Sequence, residues 1–132
     1  MQITINTNKK QELIDITDKI QEIVEKSNIK DGICFLYLAH TSAALMIQEN
    51  ADPNLCDDIL KELDKIIPLH NNYKHDKIDG NAAAHIKSSI IGPSEAIPIK
   101  NGRLMLGQWQ GITLAEFDGP RNRNIIITII KQ

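Results

Sequence analysis

The side chains able to do chemistry in this sequence fall in a few short stretches, three of which carry a histidine: Ala39-His40-Thr41-Ser42, Tyr73-Lys74-His75-Asp76 and His85-Ile86-Lys87-Ser88-Ser89. Neutral imidazole binds divalent metals and, near pH 7, carries protons. A site that gathered His40, His75 and His85 would offer either chemistry, although their spacing matches no zinc-finger or metalloprotease pattern. His70 reads as solvent-exposed. Two acids are also candidates. Glu49 stands just ahead of the helix start at Asp52-Pro53 and is less easily explained as a cap than Asp52. Glu116 interrupts apolar alternation between Leu114 and Phe117, where a carboxylate must be paired or face a cavity.

Two further stretches offer ligand contacts. Asp118-Gly119-Pro120-Arg121-Asn122-Arg123 is a turn with two guanidinium groups, whose forked donors suit phosphate or carboxylate. Gly107-Gln108-Trp109-Gln110-Gly111 sets the sole tryptophan between two glutamines, with glycines that suggest a bulge or close backbone approach. Each of these stretches also has a plain structural reading, as a cap, a packed ring or a solvated turn. The residue types alone leave both open. Dinucleotide, P-loop, nucleophile-elbow and zincin motifs are all missing.

These residues must be held by one core. At 132 residues and 42% hydrophobic content, the chain suits a single domain spanning residues 1–132. The net charge of -2 and 4% aromatic content argue against nucleic-acid binding, which needs a basic excess or stacking rings. No apolar run reaches the ~18 residues of a membrane span, and the N-terminus does not read as a signal peptide. The cytoplasm is the expected compartment, and Cys34 and Cys56 are expected as reduced, buried thiols.

Hydrophobic periodicity supplies the elements. Strands are expected at Gln2–Asn6, Leu13–Ile16, Leu45–Ile47, Gly111–Phe117 and Asn124–Ile130. Ile33–Ala39 is apolar enough to read as a central strand covered on both faces. One helix follows a cap at Thr17 or Asp18, and a second is capped by Asp52 with Pro53 in its first turn. A third runs from Asn81 to about Ile90. Residues 69–80 form a long polar loop, and Asn101-Gly102 joins a hairpin of Ala96–Ile99 and Arg103–Leu106. The order predicts an α+β fold with a largely antiparallel β-sandwich and packed helices.

Six stretches, in order along the chain, resemble the YjbQ-like family of small bacterial and archaeal proteins, some of which have been called secondary thiamine-phosphate synthases. They are His40-Thr41-Ser42-Ala43-Ala44-Leu45, Glu49-Asn50-Ala51-Asp52-Pro53, Ala84-His85-Ile86-Lys87-Ser88-Ser89, Gly102-Arg103, Trp109-Gln110-Gly111 and Glu116-Phe117-Asp118-Gly119-Pro120-Arg121. One departure is Gln108, where the family usually has threonine, which removes any role for that hydroxyl.

The resemblance implies a β-sandwich assembled as a homotrimer, with a pocket in which His40, His75 and His85 hold a divalent metal ion, zinc or magnesium. It implies joining of hydroxymethylpyrimidine diphosphate to thiazole phosphate, with release of diphosphate. On this view His40 and His85 are catalytic, with Glu116 or Glu49 orienting the histidines. Arg121, Arg103 and Lys87 would neutralise the leaving diphosphate beside the ion, while Trp109 and Gln110 hold the flat ring. Two other classes stay open: a metal- or small-ligand-binding module with only weak side activity, and a metal-dependent hydrolase.

Overall fold

Polar–apolar alternation becomes two antiparallel sheets in a computed structural model of residues 1–132. The strands are β1 (Gln2–Asn6), β2 (Glu12–Asp15), β3 (Gly32–Leu38), β4 (Ala43–Glu49), β5 (Ser94–Lys100), β6 (Arg103–Leu104), β7 (Gln110–Glu116) and β8 (Asn122–Lys131). The helices are α1 (Thr17–Lys26), α2 (Pro53–Ile66) and α3 (Ala82–Ile91). One sheet has the order β1-β8-β3-β5-β6 and the other β2-β7-β4. This is the expected α+β architecture.

The main core lies between the sheets. Leu36, Leu38 and Ile125 of the larger sheet meet Leu45, Ile112 and Leu114 of the smaller one, and α1 adds Ile20 and Val24. A second, smaller core of Ala44, Ala84, Ala115 and Phe117 fills the space between the smaller sheet and α3. Three successive alanines, Ala82 to Ala84, are buried at the start of α3, so the helix can approach β4 closely.

Asp52 caps α2 by accepting from Asn54 N–H, with Pro53 in the first turn, as the sequence predicts. In contrast, α1 begins at Thr17 without a side-chain cap of its own. Asp15 accepts from both the amide and the hydroxyl of Thr17 instead. Asn101 and Gly102 both have positive φ, as a two-residue hairpin turn requires. β4 is longer than the three residues expected of it and β6 shorter than four, because ladder partners rather than local apolarity set strand length.

The expectation that β3 is covered on both faces is corrected. Its burial alternates strictly, leaving Ile33, Phe35 and Tyr37 exposed beside Ile126 and Ile130 of β8. The strand enclosed on both sides is β7, buried from Gly111 to Glu116. It sits in the middle of the smaller sheet, with the main core on one face and α3's small core on the other. No helix is long and apolar enough to cross a membrane.

Three chain connections pass between the sheets at the same end of the molecule: β1 to β2, β3 to β4, and β7 to β8. Hydrogen bonds link all three. Thr7 N–H donates to Arg121 O and Gly119 N–H to Lys10 O, and Phe117 N–H donates to Ser42 O of the β3–β4 connection. Gly119 is required here, since a Cβ would lie 2.2 Å from Lys9 O. The chemistry collects where these crossovers meet.

Candidate functional site

The crossovers are tied by a buried ion pair. Glu116 ends β7 and is fully enclosed, and Arg123 near the start of β8 is 2% exposed. Arg123 Nε donates to Glu116 Oε1 at 2.9 Å, and Nη2 donates to Glu116 Oε2 and to Ser42 Oγ and O. Glu116 also accepts from Thr7 Oγ1 at 2.7 Å and from Asp118 N at 3.1 Å. Burial pushes this carboxyl's pKa up, but Arg123, Thr7 and the Asp118 amide outweigh it and hold the pKa below the ordinary range. Every oxygen of Glu116 is engaged. It fixes the frame and does not face the cleft.

Above this pair opens a polar cleft of about 610 Å³, lined by His40, Ser42, Asn81, His85, Arg121 and Asn122, among others. Asp118 organises one wall. Its Oδ1 accepts from Lys10, and its Oδ2 from Asn81 Nδ2 and Arg121 Nη2, each at 2.9 Å. Burial opposes ionisation, yet Lys10, Asn81 and Arg121 bring its pKa down to about 2. Arg121 Nε donates to Asp118 O, which leaves Nη1 without a protein partner. A half-exposed guanidinium held on one edge and free on the other is ready for an anion.

Partner atoms assign the imidazole protons. His85 Nδ1 lies 2.9 Å from Thr41 O, a pure acceptor, so Nδ1 carries the proton and Nε2 keeps its lone pair. His40 takes the same tautomer for a different reason: Asn124 N–H donates to Nε2 at 2.9 Å, so Nδ1 carries the proton and the Nε2 lone pair is occupied. Asn81 must turn Nδ2 toward the Asp118 carboxylate, which points its Oδ1 at His75 Nε2, 3.1 Å away. His75 is therefore protonated on Nε2 and open at Nδ1. The rings of His75 and His85 stand edge to face with centroids 5.0 Å apart.

This arrangement tests the three-histidine metal set. The single lone pair of His40 is already committed to a backbone amide, and no group of three or more His, Cys, Asp or Glu in the chain is disposed to hold a metal. The free nitrogens are His85 Nε2 and His75 Nδ1, which make two ligands and not three. The residues of one chain thus do not fit the expected set, and the chemistry below runs through no metal.

His40 also predicts a pH response. Burial first, then Arg123 and Arg121, lower its pKa, and Glu116 only partly offsets them. Protonation would cost the Asn124 bond as well. The unfolded chain therefore binds this proton more readily, and stability rises with pH up to about 6.5. Acidification from pH 7.5 to 5.5 is expected to lower the thermal midpoint of the parent protein more than that of His40→Gln. Equal falls would show that His40 is not the group responsible. The Glu116 and Asp118 contributions persist until far lower pH, because both carboxyls have depressed pKa values.

Several candidates lie elsewhere. Lys87 is 3% exposed and bonds Asp64 and Gln11 on the other side of α3, under the Phe117 ring. Arg103 is exposed on the β5–β6 hairpin near Glu25, at the far end of β3 from His40. Glu49 is not the cap of α2, which is Asp52; it holds the turn ahead of the helix by accepting from the Ala51 and Asp52 amides. Glu49, Trp109 and Gln110 sit together at the opposite end of β7 from Glu116, about 20 Å away at the usual strand rise. The residues that sequence reasoning passed over are Asn81, Asp118 and Ser42, together with the Thr41 carbonyl. Asp118 had a signal in its spacing from Glu116 and Arg121, but Asn81 reads only as a helix start.

A family model described as UPF0047 protein YjbQ-like matches residues 1–132. A UPF0047 protein of Methanocaldococcus jannaschii is 49% identical over 126 residues, covering 96% of this chain and 90% of that protein. The UPF0047 protein YugU of Bacillus subtilis is 42% identical, covering 97% of this chain and 96% of YugU. Among solved structures, an uncharacterised YjbQ/UPF0047 family protein of Clostridium acetobutylicum superposes with a TM-score of 0.94 at 44% identity, covering 98% of this chain and 99% of that one. A YjbQ-like protein of unknown function from Sulfolobus solfataricus gives 0.96 at 39%, covering 100% of this chain and 96% of that one. The fold, the order of the motifs and these full-length matches agree: the chain belongs to the YjbQ/UPF0047 family.

Proposed function

We propose that the protein is a transferase of the thiamine-phosphate synthase type, joining hydroxymethylpyrimidine diphosphate to thiazole phosphate with release of diphosphate. The observation that carries this reading is the content of the polar cleft: an imidazole N–H, an unshared imidazole lone pair and a half-free guanidinium on one wall system. In the reaction, the bond from the pyrimidinylmethyl carbon to the diphosphate oxygen breaks, and the thiazole nitrogen's pair forms a new C–N bond. The leaving group departs with its negative charge. Arg121 Nη1 and His40 Nδ1–H donate to the departing oxygens, stabilising charge where it develops. His85 Nε2 accepts from the pyrimidine amino group, whose electrons assist departure of the diphosphate. Asn81 and Asp118 hold Arg121 and His75 in place.

Ser42 does not support a hydrolase reading. Its hydroxyl is buried and bonded by Arg123, with no imidazole beside it. The purified protein, given both substrates, is expected to make thiamine phosphate with one diphosphate released per product. Diphosphate release without a new C–N bond would mark a hydrolase and overturn the proposal.

Assembly belongs to the same proposal. The exposed face of β3 and β8, with Ile33, Phe35, Tyr37, Ile126 and Ile130, is too apolar to be left in water. Copies of the chain would cover it in a homotrimer. A Phe35→Asp variant is expected to sediment as a smaller species than the parent, and an unchanged mass would remove this face from the assembly.

A further inference from the structure

The polar cleft is not the only space that His85 borders. His85 also lines a recess of about 520 Å³, walled by Tyr73, Lys74, His75, Ala82 and Ile86 and by Thr41, which likewise lines the polar cleft. Thr41 and His85 thus line both spaces, which adjoin at these two residues. Their chemistry differs. The polar cleft carries Arg121, Asp79 and amide groups, whereas the recess is walled largely by carbon and presents two aromatic rings besides His85 itself.

Those rings are fixed in orientation. Tyr73 donates its hydroxyl to Pro68 O at 2.9 Å, and His75 is held by Asn81 on one side and by its edge-to-face contact with His85 on the other. Asp76 accepts from the first amide of α3 and anchors the turn that carries both residues. A slot of oriented rings beside an anion-binding cleft suits a ligand with a flat heteroaromatic end and a phosphate end.

We infer that the ring of the substrate lies in the recess of Tyr73, His75 and Ile86, while its phosphate lies in the cleft of His40 and Arg121, with His85 at the junction. This rests on the proposed transferase reading and assigns ring selection to Tyr73 and His75. Trp109, at the opposite end of β7, takes no part in it. Another recess beside His40 is lined by Tyr37, one of the exposed side chains of the sheet face proposed for assembly, and by Pro93; His85 does not line it, so the ring is not placed there.

Binding calorimetry on the full-length protein tests the division without needing turnover. The probes are inorganic diphosphate, which has only the phosphate end, and thiamine, which has the rings without phosphate. Tyr73→Ala is expected to weaken thiamine binding tenfold or more and to leave diphosphate binding within twofold, which also shows that the variant folds. Tyr73→Phe keeps the ring but loses the bond to Pro68 O, and should bind thiamine more tightly than Tyr73→Ala. Arg121→Ala should do the reverse of Tyr73→Ala. Unchanged thiamine affinity in Tyr73→Ala, equal loss of both probes, or no thiamine binding by the parent overturns the inference. If the expected pattern holds but no thiamine phosphate forms, the two-part ligand site stands and the transferase reading fails.

Discussion

Replacing Arg123 by leucine is expected to lower stability by about 3–5 kcal/mol, because it strands a carboxylate in the interior. Glu116 has no access to water, and Arg123 provides two of its donor groups, Nε and Nη2. Without the guanidinium, the carboxyl must either stay charged in an apolar setting or take up a proton. Ser42 O and Oγ lose a donor in the same substitution. For a domain of this size the loss corresponds to a fall of roughly 10–20 °C in the thermal midpoint. The second substitution Glu116→Met, made in the Arg123→Leu background, should restore part of the midpoint, since it removes the orphaned charge. A single variant that melts within a few degrees of the parent would mean that water or another cation reaches Glu116. It would also mean that the crossovers are not held as described.

The second large effect falls on turnover. His85→Ala is expected to reduce kcat for thiamine-phosphate formation by roughly 10²–10⁴, the usual contribution of a positioned imidazole that exchanges protons with substrate. Its thermal midpoint should change little. The ring is partly exposed, and its one bond to protein is the donation to Thr41 O at the cleft wall. The contrast with Arg123→Leu is the informative part: one variant folds and does not turn over, the other struggles to fold. A His85→Ala enzyme with unchanged kcat would show that Nε2 faces no reacting group.

Much of the fold could be read from periodicity. β1, α2 with its Asp52–Pro53 start, and the Asn101-Gly102 hairpin turn are local features, set by alternation, capping and turn chemistry within a few residues. β3 was misread because all its residues but Gly32 are apolar or aromatic. Composition alone cannot tell a strand buried on two faces from one whose outer face lacks cover within the chain. The same problem hid the burial of Arg123, which reads in sequence as part of a turn with donors for an anion and instead lies inside β8, 2% exposed. It shares parity with buried Ile125 and Ile127, but the run Ile125-Ile126-Ile127 shows no alternation from which that parity could be read.

The sequence by itself determined which residue types could act and where local structure would begin and end. It also contained the motifs that mark the family. Only the tertiary structure decided which candidates share a space. Glu49, Trp109 and Gln110 are as prominent in sequence as His40 and Arg121, yet a strand of seven residues sets them at the opposite end of the molecule. Imidazole protonation was likewise out of reach, because each proton follows from a partner far along the chain: Thr41 O for His85 and Asn124 N–H for His40. The physical reason is common to both. Spacing along a chain limits which residues can meet, but pairing between strands and the crossovers that link sheets select which of them do.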